Sequence, residues 1–161
     1  MKSKHRENRS NPARNGFRCA HCHLFVSTQS VVSGVQNRNH CPFCLWSLHV
    51  DTAKAGDRLA ACKSQMKPIG LTTKKIIKKY GGNIPGELML IHLCTGCGKV
   101  SINRIAADDS SVAIYQVYTG SFDMNPTLLE NLISSGIQPL RLEDKEMVRT
   151  QLFGYSNVTE D

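Results

Sequence analysis

Apolar residues recur at helical spacing in the last third of the chain. Asn125-Pro126 predicts a helix start, because Asn is a good N-cap and proline is favoured at the first helical position. Four Leu and Ile residues then follow on one face, and Gly136 ends the helix. A second helix is predicted over Glu143–Phe153, with a stop at Gly154.

Short apolar and β-branched runs in the preceding part of the chain predict strands instead. Leu88–Leu93 is the strongest of them, and Lys99–Asn103 is predicted to return beside it as its partner. Leu24–Val26 and Val31–Val32 are shorter candidates, separated by Ser, Thr and Gln.

Two segments carry mixed patterns. Ile69–Tyr80 is rich in β-branched residues and lysine, which favours a strand leading into the Gly/Pro loop Gly81–Gly86, although a short basic helix also fits. Whether residues 72–80 are strand or helix therefore stays open. Asp108 and Asp109 can cap a helix over Ser111–Tyr118, but Val, Ile and Tyr in that segment also suit a strand.

Composition and charge divide the chain. It has 161 residues, a net charge of +7 and a pI near 9.2, which makes a polyanion such as nucleic acid the first partner to consider. Residues 1–99 carry +12 and residues 100–161 carry −5. We expect a basic flexible arm at 1–16, a metal-binding module at 17–107 and an acidic, largely helical extension at 108–161.

The apolar runs are too short for a membrane-spanning helix, and the first 18 residues are too polar for a secretory signal. Both observations predict a cytoplasmic protein that does not insert in a membrane. In that compartment, seven cysteines are expected to be metal ligands or reactive thiols rather than disulfides.

The first four cysteines have the spacing of a zinc site. Cys19 and Cys22 form one C-x2-C pair, Cys41 and Cys44 form another, and 18 residues separate the pairs. Two residues between cysteines let both thiolates point at one ion from a tight turn, and a tetrahedral ion then needs a second such turn. The spacing predicts a closed, structural Zn(Cys)4 site.

A third pair, Cys94 and Cys97, needs two more ligands, and Cys62 is the one remaining cysteine. His92 lies two residues before Cys94, so strand alternation puts both on one face, whereas His49 would have to be brought in by the fold. A third alternative is three protein ligands and a water, which is the catalytic arrangement. We expect a second zinc ion held by the three cysteines and His92, with His49 as the other candidate.

These motifs extend to a longer pattern. The chain resembles the RNHCP-domain family of bacterial proteins over roughly residues 17–115, and the matching positions are Arg38-Asn39-His40-Cys41-Pro42, Cys44–Asp51, Gly56-Asp57-Arg58, Cys62, Gly86-Glu87, His92-x-Cys94-x2-Cys97-Gly98 and Asn103-Arg104-x-Ala106-x-Asp108-Asp109. The resemblance implies a zinc-binding module and no established activity. The chain departs from the family at His23, where members typically have Gly. The segment Lys74–Lys79 and the residues after about Val117 look like additions.

With these elements, the predicted fold class is α+β: a zinc-ribbon-like, mostly β N-terminal module with a C-terminal helical extension. The basic front half predicts that this module binds nucleic acid, and the expected ligand is structured RNA on or near the ribosome. An aromatic content of only 6% favours recognition of backbone and shape over base stacking. The candidate contacts are Arg38, Lys74, Lys75, Lys78, Lys79 and Arg104.

Two other functions fit the same sequence. The acidic C-terminal helices can dock a protein partner or fold back on the basic half, as in an adaptor. A zinc-dependent enzyme would use an incompletely ligated second site, with polar residues beside it chosen from His49, Asp51, Asp57, Asp108 and Asp109. The zinc-deaminase signature is absent and no nucleophile motif accompanies these residues, so the sequence favours a non-enzyme.

Overall fold

The structure is a computed structural model that describes residues 15–74 and 86–154. The strands are β1 (Gly16–Arg18), β2 (Phe25–Ser27), β3 (Ser47–Leu48), β4 (Gln65–Lys74), β5 (Glu87–Cys94) and β6 (Val100–Arg104). The helices are α1 (Ser30–Ser33), α2 (Ser111–Gly120), α3 (Pro126–Ser134) and α4 (Lys145–Phe153), and a 3-10 turn over Leu142–Asp144 leads into the last of them.

The strands form two antiparallel sheets. β1 and β2 make a hairpin, and the other four strands form a sheet in the order β3-β4-β5-β6. β5 is buried along most of its length because neighbouring strands and helices enclose it, which fits its almost continuous apolar sequence. A bulge in β4 places Pro68 opposite His92 but Gly70 opposite Ile91. Gly70 lets α2 end close to the sheet, since a Cβ there would lie 3.3 Å from the Cβ of Ser121.

The main hydrophobic core lies between this sheet and the helices. Its buried side chains come from the segment after the second C-x2-C turn, from β4 and β5, and from the helical part; each C-x2-C turn is called a knuckle below. They are Leu45, Leu71, Leu88, Leu90, Ile114, Tyr118, Leu140 and Val148. A smaller core of Cys19, Val26 and Cys41 lies under the β1–β2 hairpin. The helices after residue 110 thus pack directly on the strands that carry the later cysteines.

Local capping chemistry sets the helix starts. Asn125 caps α3 as predicted, because its side chain accepts a hydrogen bond from the Thr127 N–H at 2.9 Å. Ser110 caps α2 by accepting from the Ala113 N–H at 3.2 Å. The proposed capping role of Asp108 and Asp109 is therefore wrong, since the residue that immediately precedes the first helical turn fills it.

Most predicted elements match the structure, and three need comment. The strand predicted at Val31–Val32 is instead part of the short helix α1, which ends at Gly34 with a left-handed φ of 69°. The open alternative over Ser111–Tyr118 is decided as helix, α2. In the predicted segment Ile69–Tyr80, the residues from Ile69 to Lys74 form the end of β4. The other residues of that segment and most of the following loop lie outside the described residues.

Within the part of the chain that the structure describes, no helix is both long enough and apolar enough to span a membrane.

Candidate metal centres

The three C-x2-C turns share one backbone conformation. The residue after the second cysteine has a positive φ in each, at 63° for His23, 63° for Leu45 and 74° for Gly98. Its N–H donates to the carbonyl oxygen of the first cysteine of its own turn, at 3.0, 2.9 and 3.1 Å respectively. This conformation costs a non-glycine residue about 1–2 kcal/mol. His23 therefore keeps the turn that a glycine would adopt without strain.

The first cluster consists of Cys19, Cys22, Cys41 and Cys44. All four sulfur atoms lie within 4.8 Å of one another, and Cys19–Cys44 and Cys22–Cys41 are both separated by 3.6 Å. A zinc tetrahedron with bonds of about 2.3 Å has sulfur–sulfur edges of about 3.8 Å, whereas a disulfide bond measures about 2.05 Å. The cluster has the dimensions of a tetrahedral thiolate site and can hold a zinc ion.

The surroundings of the first cluster make a bound cation favourable. Cys19 and Cys41 are buried, and burial raises the pKa of Cys41 and Cys44 above the ordinary thiol value. Thiolates without a counter-charge are costly in such a place, and coordination to a zinc ion supplies that charge. Since four sulfurs complete the coordination, this centre would be structural.

The second cluster consists of His49, Cys62, Cys94 and Cys97, whose ligand atoms also lie within 4.8 Å. Cys62 and Cys94 have their sulfurs 3.6 Å apart, and Cys97 Sγ lies 3.2 Å from His49 Nδ1. The backbone after β3 brings His49 here, because its N–H donates to Ser64 O at 2.9 Å. Hydrogen bonds from the Ser64 hydroxyl and N–H lower the pKa of Cys62 to about 6, which favours the thiolate that binds zinc. This cluster can hold a second zinc ion.

The structure places His49 in the second cluster, and not His92, the ligand expected from the sequence. His92 is fully buried, its Nε2 donates to the carbonyl oxygen of Leu45 at 2.7 Å, and its Nδ1 accepts from Asn103 Nδ2 at 2.9 Å. Burial lowers the pKa of His92 to about 4, so the ring is neutral and both nitrogens are occupied. Strand alternation places His92 and Cys94 on one face correctly, but His92 turns toward the knuckle of the first cluster.

A buried ionic network ties the first cluster to the start of α2. Arg38 donates to both oxygens of Asp108 at 2.7 Å and to Asp109 at 3.0 Å, and the same Asp109 carboxylate lies 2.7 Å from His40 Nε2. Asp109 also accepts the Ala106 N–H at 2.7 Å. The Arg38 side chain is 0% exposed, so its proposed contact with nucleic acid is wrong. Asp108 and Asp109 hold this network together.

Residues 14–115 match the family model of the RNHCP domain. The chain belongs to the RNHCP-domain family. A search of the curated proteins and a search of the solved structures found no match.

The motifs of the RNHCP domain have distinct places in this fold. In Arg38-Asn39-His40-Cys41-Pro42, Arg38 and His40 point into the ionic network and Cys41 belongs to the first cluster. The motif that begins at Asn103 supplies the partner of His92 and, further on, the two aspartates. The motif Arg38–Pro42, whose one-letter code gives the family its name, therefore mainly makes internal contacts between segments that are distant in sequence.

Two other acidic residues of the RNHCP domain organise a loop. Asp57 accepts hydrogen bonds from the N–H groups of Thr52, Ala53, Lys54 and Leu59, and those bonds, that of Lys54 foremost, hold its pKa well below the ordinary value. Asp51 accepts from the N–H groups of Gly56 and Arg58. Both carboxylates are occupied by backbone donors in an Asx-type turn.

The remaining predicted contacts with nucleic acid differ in their availability. Arg104 is exposed but paired with Glu87 at 2.8 Å, which offsets part of its charge. Lys74 is exposed at the end of β4. Lys75, Lys78 and Lys79 lie outside the described residues. Composition identifies the basic half of the chain but does not distinguish the buried, paired Arg38 from the exposed Lys74.

Proposed function

We propose that this RNHCP domain is a zinc-stabilised module that binds structured RNA, ribosomal RNA included, through lysines around its second cluster. Two clusters of zinc-ligating residues occupy the same half of the chain that carries a charge of +12. In such a module the metal fixes the fold, and the surface lysines neutralise phosphates.

The observation that carries the proposal is the position of four exposed lysines. Lys63 follows Cys62, Lys99 follows the third knuckle, and Lys67 lies on β4 opposite Leu93, just before that knuckle. The ammonium group of Lys99 donates to the carbonyl of Thr52, which brings in the loop that carries Lys54. These lysines, called the basic rim, are Lys54, Lys63, Lys67 and Lys99.

The basic rim keeps its charge available. None of its four lysines forms an ion pair with an acidic residue in the described segments 15–74 and 86–154. A zinc ion held by three thiolates and one imidazole has a single net negative charge, so it does not neutralise the rim. A concentrated positive surface beside a rigid metal site is suited to a phosphate backbone.

The second cluster supports a binding role over catalysis. His49, Cys62, Cys94 and Cys97 supply four donors, whereas a hydrolytic zinc site needs an open position for water. Asp51 and Asp57, the nearest carboxylates in sequence, are occupied by backbone N–H groups of their own loop. These contacts favour a closed metal centre whose purpose is to hold the surrounding loops.

RNA binding is tested by fluorescence anisotropy with a labelled RNA stem-loop at several salt concentrations. Changing all four rim lysines to Ala should reduce affinity at low salt. It should also reduce the magnitude of the slope of log K against log salt concentration by about 3–4, as expected for the loss of about four phosphate contacts. A second variant with Lys74, Lys75, Lys78 and Lys79 changed to Ala tests the lysines predicted from the sequence. The control is Lys145→Ala with Arg149→Ala on α4, which should change neither quantity. Unchanged affinity and slope in the rim variant would refute the proposal, and a loss confined to the second variant would move the contact to the lysines predicted from the sequence.

A further inference from the structure

A groove runs along β6 and continues onto the adjoining sheet, where Met89 of β5 and Lys74 of β4 also line it. Two adjoining cavities of about 240 and 630 Å³ form it, and both are lined by Asn39, Ala55, Ile102 and Asn103. One end reaches Lys99 and the other reaches Lys74 and Arg104. We call this feature the β6 groove.

The wall opposite β6 is preformed. It consists of the loops 34–40 and 51–56, which contact each other where the Asn37 side chain packs on Gly56. Gly56 has a φ of 87°, and a Cβ there would lie 2.7 Å from Asn37, so the two loops approach as closely as they do because this residue is glycine. Arg58 Nη2 also donates to the carbonyl of Arg38 at 3.4 Å. The groove therefore does not depend on a ligand to order its walls.

The β6 side of the groove presents free backbone groups. β6 is the end strand of its sheet, and the bond from Cys94 N to Lys99 O sets the alternation of its hydrogen bonds. In this register Ser101 and Asn103 bond toward β5, while the N–H and C=O groups of Ile102 and Arg104 point outward. No described residue pairs with this outer edge.

The charge of the groove favours an anionic ligand. Lys54, Lys74 and Lys99 line it, and Asp51, whose oxygens accept from Gly56 and Arg58, is the single carboxylate among its lining residues. Asn39 lies at the centre, half-buried, and no hydrogen bond of its side-chain amide occurs within the described segments. A positive groove with a free amide and a free strand edge can bind phosphates and hydrogen-bond base edges together.

We propose that the β6 groove binds an unpaired stretch of an RNA strand, with its phosphates against the lysines and its base edges against Asn39 and the outer edge of β6. This inference rests on the proposed RNA-binding function and assigns Lys63 and Lys67, the two rim lysines that do not line the groove, to the adjoining stem. An A-form duplex hides its base edges in a deep, narrow major groove, so hydrogen bonding to bases requires unpaired nucleotides. The cavity volumes are those of a site for a few nucleotides rather than for a whole helix.

An extended acidic peptide is the other occupant that a free strand edge would accept. The distribution of charge favours RNA. Lys74 lies at one end of the groove, and Lys54 and Lys99 lie at the other end. Cations at both ends match the evenly spaced charges of a phosphate backbone better than the few carboxylates of a peptide segment.

The test compares two labelled RNAs on the full-length, zinc-loaded protein: a blunt stem-loop, and the same stem-loop with a ten-nucleotide unpaired overhang. We expect the overhang to raise affinity about tenfold or more. Ile102→Glu, on a side chain that is 40% exposed in the groove, should abolish that gain and leave binding of the blunt RNA within about twofold, and Asn39→Ala should reduce the gain. The matched control is Val112→Glu, on a side chain that is 60% exposed on α2, which should preserve the gain. Zinc content and circular dichroism confirm the fold of each variant.

Hydrogen exchange supplies a second readout. The amides of Ile102 and Arg104 should exchange more slowly with the overhang RNA bound than with the blunt RNA bound. Equal affinity for the two RNAs, or a gain that survives Ile102→Glu, would overturn the groove assignment and leave the rim proposal standing. Failure to bind either RNA would overturn both. Displacement of the overhang by an unlabelled ten-residue glutamate-rich peptide, but not by an equally charged sulfated sugar, would make the edge a peptide site and refute the RNA assignment.

Discussion

At the scale of single residues, burial decides what a charged side chain can do. Arg38 and Arg104 look equally suited to phosphate binding in the sequence, yet one is fully buried among carboxylates and the other is 65% exposed beside Glu87. A buried guanidinium that neutralises Asp108 and Asp109 is a structural element, because its removal leaves carboxylates without a counter-charge in a poorly solvated place.

Arg38→Met should therefore destabilise the zinc-loaded protein by about 3–5 kcal/mol, while Arg104→Met should cost less than about 1 kcal/mol because its pair is exposed. Urea unfolding of the two variants measures the difference. Equal and small effects would show that the Arg38 network does not stabilise the fold.

At the scale of local elements, each C-x2-C turn fixes two ligands, and the fold has to supply the others. The three knuckles close through the same hydrogen bond, from the residue that follows the second cysteine back to the carbonyl of the first. What completes the second cluster is a short antiparallel pairing in which Lys63 N donates to His49 O at 3.2 Å and His49 N donates to Ser64 O. This pairing sets His49 beside Cys62.

Zinc content distinguishes the two histidines. His49→Ala should release the second ion to a chelator that leaves the first in place, and His49→Cys should retain both because a thiolate can fill the same position. His92→Asn should keep two ions per chain while lowering stability, since it disturbs the contact with Leu45. The measurement is elemental zinc analysis after chelator challenge. Loss of the second ion from the His92 variant alone would contradict His49 as the fourth ligand.

At the scale of the whole molecule, the C-terminal helical extension shares one hydrophobic core with the sheet of the preceding module. The family match ends at residue 115, within α2, yet Tyr118, Leu140 and Val148 belong to the same core as Leu88 and Leu90 of β5. The boundary proposed at residue 107 describes a change of charge along the chain. Packing crosses that boundary.

A chain that ends at residue 115 should consequently lose cooperative unfolding. It lacks three buried side chains of the main core, Tyr118, Leu140 and Val148, and each such loss costs about 2–5 kcal/mol against a total stability of about 5–15 kcal/mol. Thermal unfolding and dye binding to exposed apolar surface provide the measurement. A chain that ends at Gly154 retains all of these core residues and serves as the control, and equal unfolding curves for the two would refute the shared core.

The sequence by itself determined what depends on neighbours along the chain. Cysteine spacing specified three metal-binding turns, the Asn125-Pro126 pair specified the start of α3, and alternation with apolar runs specified β5 and β6. Each follows from the reach of a few residues, so the distance in space is set by the distance in sequence.

The tertiary structure alone decided what joins distant residues. His49 rather than His92 completes the second cluster, because its partner Cys97 is 48 residues away and the packing of two loops sets their separation. Arg38 is buried where it pairs with Asp108, which lies 70 residues further along the chain. The β6 groove arises where two loops close over a strand edge. Such contacts depend on how whole elements pack, which periodicity and spacing do not specify.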